Sequence, residues 1–143
     1  MLKYRIYGNE IHLVNKTIME KQTKSKTRKI AAWVIIGLVG ALVIMSATMK
    51  LTHAEELVTN FTKWGLIDNL TFIGIGELIF IILFIIPRTS SLGFLLLTAH
   101  FGGAIATHLQ HEESFIMPAI ILTVIWIGNY LRNPEMLASF TKK

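Results

Sequence analysis

Four long apolar runs restrict what this chain can fold into. Within the second run, residues 78–86 (LIFIILFII) are apolar on every side, whereas a helix of a water-soluble domain keeps a polar face. The runs are residues 30–49, 70–86, 92–109 and 115–131. Each has about 17 to 20 residues, enough to cross a hydrocarbon core of about 30 Å, and strands with open edges are excluded in lipid. The sequence predicts an all-α transmembrane four-helix bundle.

The distribution of basic residues predicts the orientation of this bundle. Eight Lys and Arg residues precede residue 30, and further basic residues follow the second run at Arg88 and the fourth run at Arg132. The loop after the third run carries Glu112 and Glu113 and no Lys or Arg. Because cytoplasmic loops are enriched in Lys and Arg, we expect both termini in the cytoplasm and the protein in the cell membrane. The bilayer explains the basic charge, so nucleic acid is not an expected partner.

The chain divides into one membrane domain and two tails. We place a basic cytoplasmic tail at residues 1–29, the membrane domain at 30–135 and a short cytoplasmic tail at 136–143. The first apolar run is too long and too far from the start for a signal peptide. Ile11, Val14 and Ile18 share one helical face, which could lie flat on the inner leaflet. A solvated tail is the alternative.

Small residues within the runs predict where helices approach each other. The positions are Gly37, Ala41, Gly74, Gly102 and Gly103. Lipid does not drive apolar helices together, and small residues let two backbones come close. We expect these faces to contact neighbouring helices within the bundle. Contact with a second copy of the chain is the competing interpretation.

Glu77 is the most informative single residue because a carboxylate within a membrane span is costly without a partner. The second and third runs are antiparallel, so His100 lies at a depth similar to that of Glu77. Lys50, which follows the first run, could reach inward along its alkyl chain. We therefore predict a polar pocket around Glu77 that relays protons, holds a quinone head group or binds a small ligand. A structural polar cluster that fixes the helix register is the alternative.

Other kinds of chemical site find little support. The chain has no cysteine, so it cannot form a disulfide or a thiolate site of its own. His53, His108 and His111 lie near carboxylates on the predicted outer side, but they form no compact metal-binding motif. We expect no metal site, no identifiable catalytic residue and solvated loops there.

Several short motifs, in order, resemble the DoxX-like family of small four-helix membrane proteins. They are residues 45–51 (MSATMKL), 63–66 (KWGL), 74–78 (GIGEL), 86–88 (IPR), 102–109 (GGAIATHL) and 130–135 (YLRNPE). The resemblance covers residues 30–135. The Ser46-Ala47 pair departs from the Ser-Gly that is more usual in the family.

The resemblance implies a redox-linked membrane role. Family members include subunits similar to those associated with a thiosulfate:quinone oxidoreductase, proteins linked to oxidative stress, and distant eukaryotic assembly chaperones. The Lys, Glu and Thr-His positions that recur in the family correspond here to Lys50, Glu77, Thr107 and His108. Together with His100, these residues are the ligand-pocket candidates.

Three functions follow as expectations. The first is an accessory subunit or scaffold that works with another membrane protein, or as a homo-oligomer, and has no activity in isolation. The second is binding or transport of a small molecule or proton through the pocket around Glu77. The third is a component of a quinone-linked oxidoreductase. No cofactor is identified, although a quinone fits the second and third functions.

Overall fold

The computed structural model describes residues 2–137, without the side chains of residues 2–15, 18, 20, 21, 24 and 137. This part of the chain is all-α and contains no strand, as predicted. Its helices are α1 (Leu2–Leu51), α2 (Glu55–Lys63), α3 (Leu70–Ile85), α4 (Ser90–Gln110) and α5 (Ile116–Arg132). Two short 3-10 helices, Ile67–Asn69 and Pro134–Leu137, follow α2 and α5.

Three helical segments are long and apolar enough to cross a membrane. They are Ser25–Leu51, Ile67–Ile85 and Ser90–Gln110, and α5 is a shorter apolar helix of 17 residues. Large apolar side chains cover the outside of the bundle, and Phe72 on α3 is 77% exposed. Such a surface suits lipid as its surroundings, because monomeric soluble proteins rarely expose large contiguous apolar patches.

The basic segment before residue 30 continues into the first apolar run as one helix, α1. No glycine or proline interrupts residues 9–36, so nothing in this sequence breaks the backbone hydrogen bonding. The side chains of Ile11, Val14 and Ile18 lie outside the described residues. The position of this segment on the inner leaflet therefore stays a prediction.

The four longer helices form a ring in which α1 and α4 lie at opposite corners. Helices α3 and α5 each pack against both of them. The core between the helices includes Phe84, Leu97 and Ile125, all fully buried. Gly93 lets α4 approach α3, since a β-carbon there would collide with the backbone of Phe84.

Residues 50–69, which connect the first two apolar runs, contain the short helix α2. Leu57, Phe61 and Trp64 are spaced at i, i+4 and i+7, so they share one face of a helix. Phe61 is buried, while Thr59, Thr62 and Lys63 are exposed. The apolar face lies against the bundle, which explains why this connection is helical.

A polar cluster closes the end of the bundle where α3 turns into α4. Asn133 Nδ2 donates hydrogen bonds to Ser90 Oγ and Asn129 Oδ1, each at 3.3 Å. Asn129 Nδ2 contacts the sulfur of Met136 at 3.2 Å. Arg132 places its guanidinium 4.6 Å from the centre of the Phe84 ring. These contacts fasten the last turn of α5 to the start of α4.

Candidate functional site

The site begins at Gly74, where α1 and α3 are in tight contact. A β-carbon at this position would lie 2.9 Å from Lys50 Cβ and 3.3 Å from the carbonyl oxygen of Ala47. Both distances are shorter than ordinary van der Waals contact, so only glycine fits without movement of a helix. Gly74 is three residues before Glu77, and on a helix this spacing puts the two on one face. The close approach therefore sets Lys50 beside Glu77.

Lys50 and Glu77 form a buried ion pair. Lys50 Nζ lies 2.6 Å from Glu77 Oε2, with side-chain exposures of 11% and 1%. The same ammonium donates to the hydroxyl oxygen of Ser46, also at 2.6 Å. Ser46 precedes Lys50 by four residues, one helical turn, so α1 itself holds the lysine in place. Two of the three ammonium protons are thereby used.

His100 lies on the other side of the same carboxylate. Its Nε2 is 3.7 Å from Glu77 Oε1, and its side chain is 15% exposed. This separation is longer than a hydrogen bond of 2.7–3.2 Å. The His100 ring stands perpendicular to the ring of Phe101, with centroids 5.1 Å apart, and it also contacts the edge of Phe80. The aromatic neighbours limit how far the imidazole can turn, so Glu77 lies between a lysine and a histidine.

A cavity of about 530 Å³ opens beside these three residues. Its volume is in the range of small-molecule binding sites, about 300–1,000 Å³. Its lining is mostly apolar and comes from α1 to α5 with the segment after α2. The five candidates predicted from the sequence, Lys50, Glu77, His100, Thr107 and His108, all line it. The structure brings them together, while binding of a ligand among them stays a prediction.

Trp64, His108 and Thr107 form the rim of the cavity, near the end of α4. The Trp64 ring meets the His108 ring edge-on, with centroids 5.1 Å apart. His108 Nδ1 is 3.8 Å from Glu113 Oε2, and the Thr107 hydroxyl donates to the Gly103 carbonyl oxygen at 3.0 Å. Thr107 therefore bonds to its own helix, whereas Trp64 and His108 present ring surfaces to the cavity.

Three buried polar atoms on the cavity residues have no hydrogen-bond partner within residues 2–137. They are Glu77 Oε1, Trp64 Nε1 and His108 Nδ1. Each such atom is costly, because a buried polar group without a partner loses about 1–3 kcal/mol. The set contains an acceptor, a donor and an imidazole nitrogen. Because these atoms belong to residues that line the cavity, small side-chain movements would let them form directed hydrogen bonds with a ligand.

The predicted small-residue positions fall into two groups. Gly74 lies at a tight helix contact, as described above. At Gly37, Gly102 and Gly103 a β-carbon would meet nothing within 4 Å, and Ala41 is exposed. Within the described chain these four positions do not bring helices together. The tight contacts are made instead at Gly74, at Gly93 and at Gly128, where a β-carbon would lie 3.1 Å from Ile35. A contact of the open positions with another chain stays a prediction.

The other two histidines whose side chains are described, His53 and His111, lie near the ends of helices. His53 Nε2 is 3.2 Å from the hydroxyl of Thr71, and His111 Nδ1 donates to the Thr107 carbonyl oxygen at 2.8 Å. In the described part of the chain, His, Asp and Glu side chains form no group of three that could hold a metal ion. These histidines therefore take part in hydrogen bonds at helix ends.

Sequence reasoning missed Ser46, Leu57 and Phe61 as lining residues. A signal for each was present in the spacing. Ser46 lies one turn before Lys50, and Leu57 and Phe61 share a helical face with Trp64. These spacings are weak signals on their own, because they become meaningful only once α2 is known to cover the bundle.

Comparison with known proteins gives one finding. The sequence model of the DoxX-like family matches residues 34–128, which is about two thirds of the chain and lies inside the range of the resemblance noted above. The match includes Lys50, Glu77, His100 and the rim residues. No curated protein and no solved structure matches the chain.

Proposed function

From the premise that this chain belongs to the DoxX-like family, we propose that it is a multi-pass membrane protein whose helical bundle binds a lipid-soluble small molecule. The binding site is the cavity beside Lys50, Glu77 and His100. One observation carries the proposal: an apolar cavity of about 530 Å³ is bordered by three buried polar atoms without partners. Apolar walls with a few directed polar groups are typical of small-molecule sites.

A purely structural polar cluster explains less of this geometry. A cluster that only fixes helix register would be expected to pair its own side chains, as Asn133 does with Ser90 and Asn129 at the other end of the bundle, although the Arg132 guanidinium there also has no hydrogen-bond partner in the described chain. The ion pair of Lys50 and Glu77 leaves one carboxylate oxygen facing His100 without a hydrogen bond. Trp64 Nε1 at the rim is also unpaired. A bound molecule would provide hydrogen-bond partners for both Glu77 Oε1 and Trp64 Nε1.

The proposal is tested by narrowing the cavity. Ala104 lines the cavity, and Ala106, two residues further along α4, is exposed and does not line it. The wild-type protein and the variants Ala104→Phe and Ala106→Phe are solubilised gently and analysed by native mass spectrometry, with extraction of lipid-soluble molecules. We expect wild type and Ala106→Phe to retain an organic molecule that Ala104→Phe has lost.

Two outcomes would contradict the binding function. In one, the wild-type protein carries no molecule enriched over the surrounding membrane. In the other, Ala104→Phe retains the molecule as well as Ala106→Phe does. Thermal unfolding of both variants is measured alongside, so that loss of the molecule is not mistaken for loss of the fold.

We also propose that α5 crosses the cell membrane with the other three helices and that both termini are cytoplasmic. At 1.5 Å per residue, 17 residues span about 26 Å, and flanking residues can extend the span. Because the chain has no cysteine, single cysteines at Thr27, Ser91 and Ser114 can report the topology. An impermeant maleimide should label Ser114→Cys in intact cells and the other two only after permeabilisation. Labelling of Thr27→Cys or Ser91→Cys in intact cells would contradict this orientation.

An accessory or scaffold role in a redox-linked process is a second candidate. The observation that favours it is the open small-residue surface at Gly37 and Ala41, where nothing in the described chain packs closely. Small residues are enriched where membrane helices meet. Under this role the solubilised protein should carry a second protein or a second copy, and Gly37→Ile should release it. Recovery of a lone wild-type monomer under gentle conditions would contradict it.

A further inference from the structure

The gap between Glu77 and His100 has a geometry that selects among polar groups. Glu77 Oε2 is taken by Lys50, whereas Oε1 is buried and has no hydrogen-bond partner in the described chain. His100 Nε2 lies 3.7 Å from Oε1, too far for a direct hydrogen bond. At this separation one oxygen atom could lie about 2.8 Å from each, provided that the His100 side chain turns slightly aside, because Oε1 is almost fully enclosed by protein. Such an oxygen would donate to Oε1 and, when His100 carries its proton on Nε2, accept from that nitrogen.

Most polar groups fail one of these two requirements. A carboxylate oxygen only accepts hydrogen bonds, so a ketone, quinone or ether oxygen would face Oε1 with no proton to give. A second carboxylate would be repelled by Glu77. An ammonium group would meet the Lys50 ammonium at the same carboxylate, and like charges in contact are unfavourable. An amide N–H could donate to Oε1 but has no lone pair for His100.

We infer that the cavity selects ligands that bear a hydroxyl group, which is held between Glu77 Oε1 and His100 Nε2 while the apolar body fills the cavity. This inference rests on the proposed binding function and narrows its ligand class to alcohols and phenols of lipid-soluble character. Other groups around the ligand are the third ammonium proton of Lys50 and the aromatic rings of Phe101 and Trp64. Oxidised quinones, which carry no hydroxyl donor at their carbonyl oxygens, should bind less tightly than their hydroxyl-bearing counterparts.

A matched pair of probes tests the inference on a full-length protein whose cavity residues are unchanged. The probes are para-hexylphenol and its methyl ether, para-hexylanisole, which has nearly the same apolar body but no hydroxyl proton. The full chain is placed in lipid nanodiscs, and binding is followed by quenching of Trp64 fluorescence in a Trp33→Phe, Trp126→Phe background. Affinities are calculated from the concentration of each probe within the lipid. The different partitioning of the two probes into the bilayer therefore does not affect the comparison.

We expect the phenol to bind about 10-fold or more tightly than the ether, since hydrogen bonds to charged groups contribute about that much. Glu77→Gln should reduce this preference, and Ala104→Phe should abolish quenching by both probes. Equal affinity of the two probes would overturn the inference while leaving the binding function intact. It would mean that a water molecule, not the ligand, bridges Glu77 and His100. Absence of saturable binding by either probe, with no co-purified molecule, would overturn both.

Discussion

Gly74 lies so close to Lys50 that a β-carbon at position 74 would come within 2.9 Å of the lysine Cβ. The contact joins the last turn of α1 to the first half of α3. It sets the distance at which Lys50 Nζ reaches Glu77 Oε2, 2.6 Å. The absence of a β-carbon at Gly74 therefore allows the ion pair between Lys50 and Glu77 to form. Position 74 is the most sensitive point at which to test this packing.

We predict that Gly74→Ala destabilises the protein although alanine is the better helix former. The added carbon requires α1 and α3 to separate, and overpacking of this kind costs about 1–3 kcal/mol. The thermal unfolding midpoint in detergent should fall by several degrees, and retention of the bound molecule should fall with it.

Gly37→Ala is the matched control for this change. A β-carbon at Gly37 meets nothing within 4 Å, so this variant should unfold at or slightly above the wild-type temperature because alanine favours the helix. Equal midpoints for the two variants would mean that the close contact at Gly74 does not limit stability.

The ion pair predicts coupled effects of substitutions at Lys50 and Glu77. Removing one partner of a buried pair leaves the other charge uncompensated and costs about 3–5 kcal/mol. Lys50→Met and Glu77→Gln should each lower the unfolding midpoint strongly, and the double variant should be more stable than the sum of the two losses implies.

Lys63→Met provides the control for loss of a positive charge. Lys63 is exposed at the end of α2, where a single surface charge contributes little. Its variant should unfold as the wild type does. Strictly additive losses for Lys50→Met and Glu77→Gln would show that the two charges do not stabilise each other.

Much of the fold and the centre of the site follow from the sequence for clear physical reasons. An apolar run of the length of α4 has few alternatives to a helix in lipid, and its structural bounds, Ser90–Gln110, lie close to the predicted 92–109. The antiparallel order of α3 and α4 brings Glu77 and His100 to one depth, because the turn between them is short. A buried carboxylate must find a partner, and this requirement pointed to Lys50.

Features that depend on which helix faces which neighbour could not be derived in the same way. Glycine is small at every position, so the sequence does not distinguish Gly74, which lies in a tight contact, from Gly37, which is open. The helix α2 also escaped prediction, because nine residues are short for a stable helix in isolation. Its structure depends on packing of Leu57 and Phe61 against the bundle, which is a tertiary effect.

At the opposite end of the bundle, we predict that Asn129→Leu lowers stability without affecting the cavity. Asn129 is 3% exposed, and its Oδ1 accepts a hydrogen bond from Asn133. Leucine would leave this amide without one acceptor, at a cost of about 1–3 kcal/mol. The unfolding midpoint should fall, while quenching of Trp64 by para-hexylphenol, measured below that midpoint, should be unchanged.

Tyr130→Leu is the neighbouring control, since Tyr130 is 52% exposed on the outside of α5. It should leave both measurements near the wild-type values. A loss of phenol binding in Asn129→Leu at a temperature where the protein is folded would contradict the separation of the two ends.

The indole of Trp64 is a second candidate contact for the ligand, because its Nε1 is buried at the cavity rim and has no hydrogen-bond partner in residues 2–137. Trp64→Phe keeps an aromatic ring beside His108 but removes the donor, so it should change the unfolding midpoint little. If the bound molecule accepts a hydrogen bond there, its occupancy in native mass spectrometry should fall about fivefold, which corresponds to about 1 kcal/mol. Trp33→Phe, on the exposed side of α1, should leave occupancy unchanged. Equal occupancy in both variants would mean that the molecule is held at the Glu77 end alone, and would remove Trp64 from the recognition of the ligand.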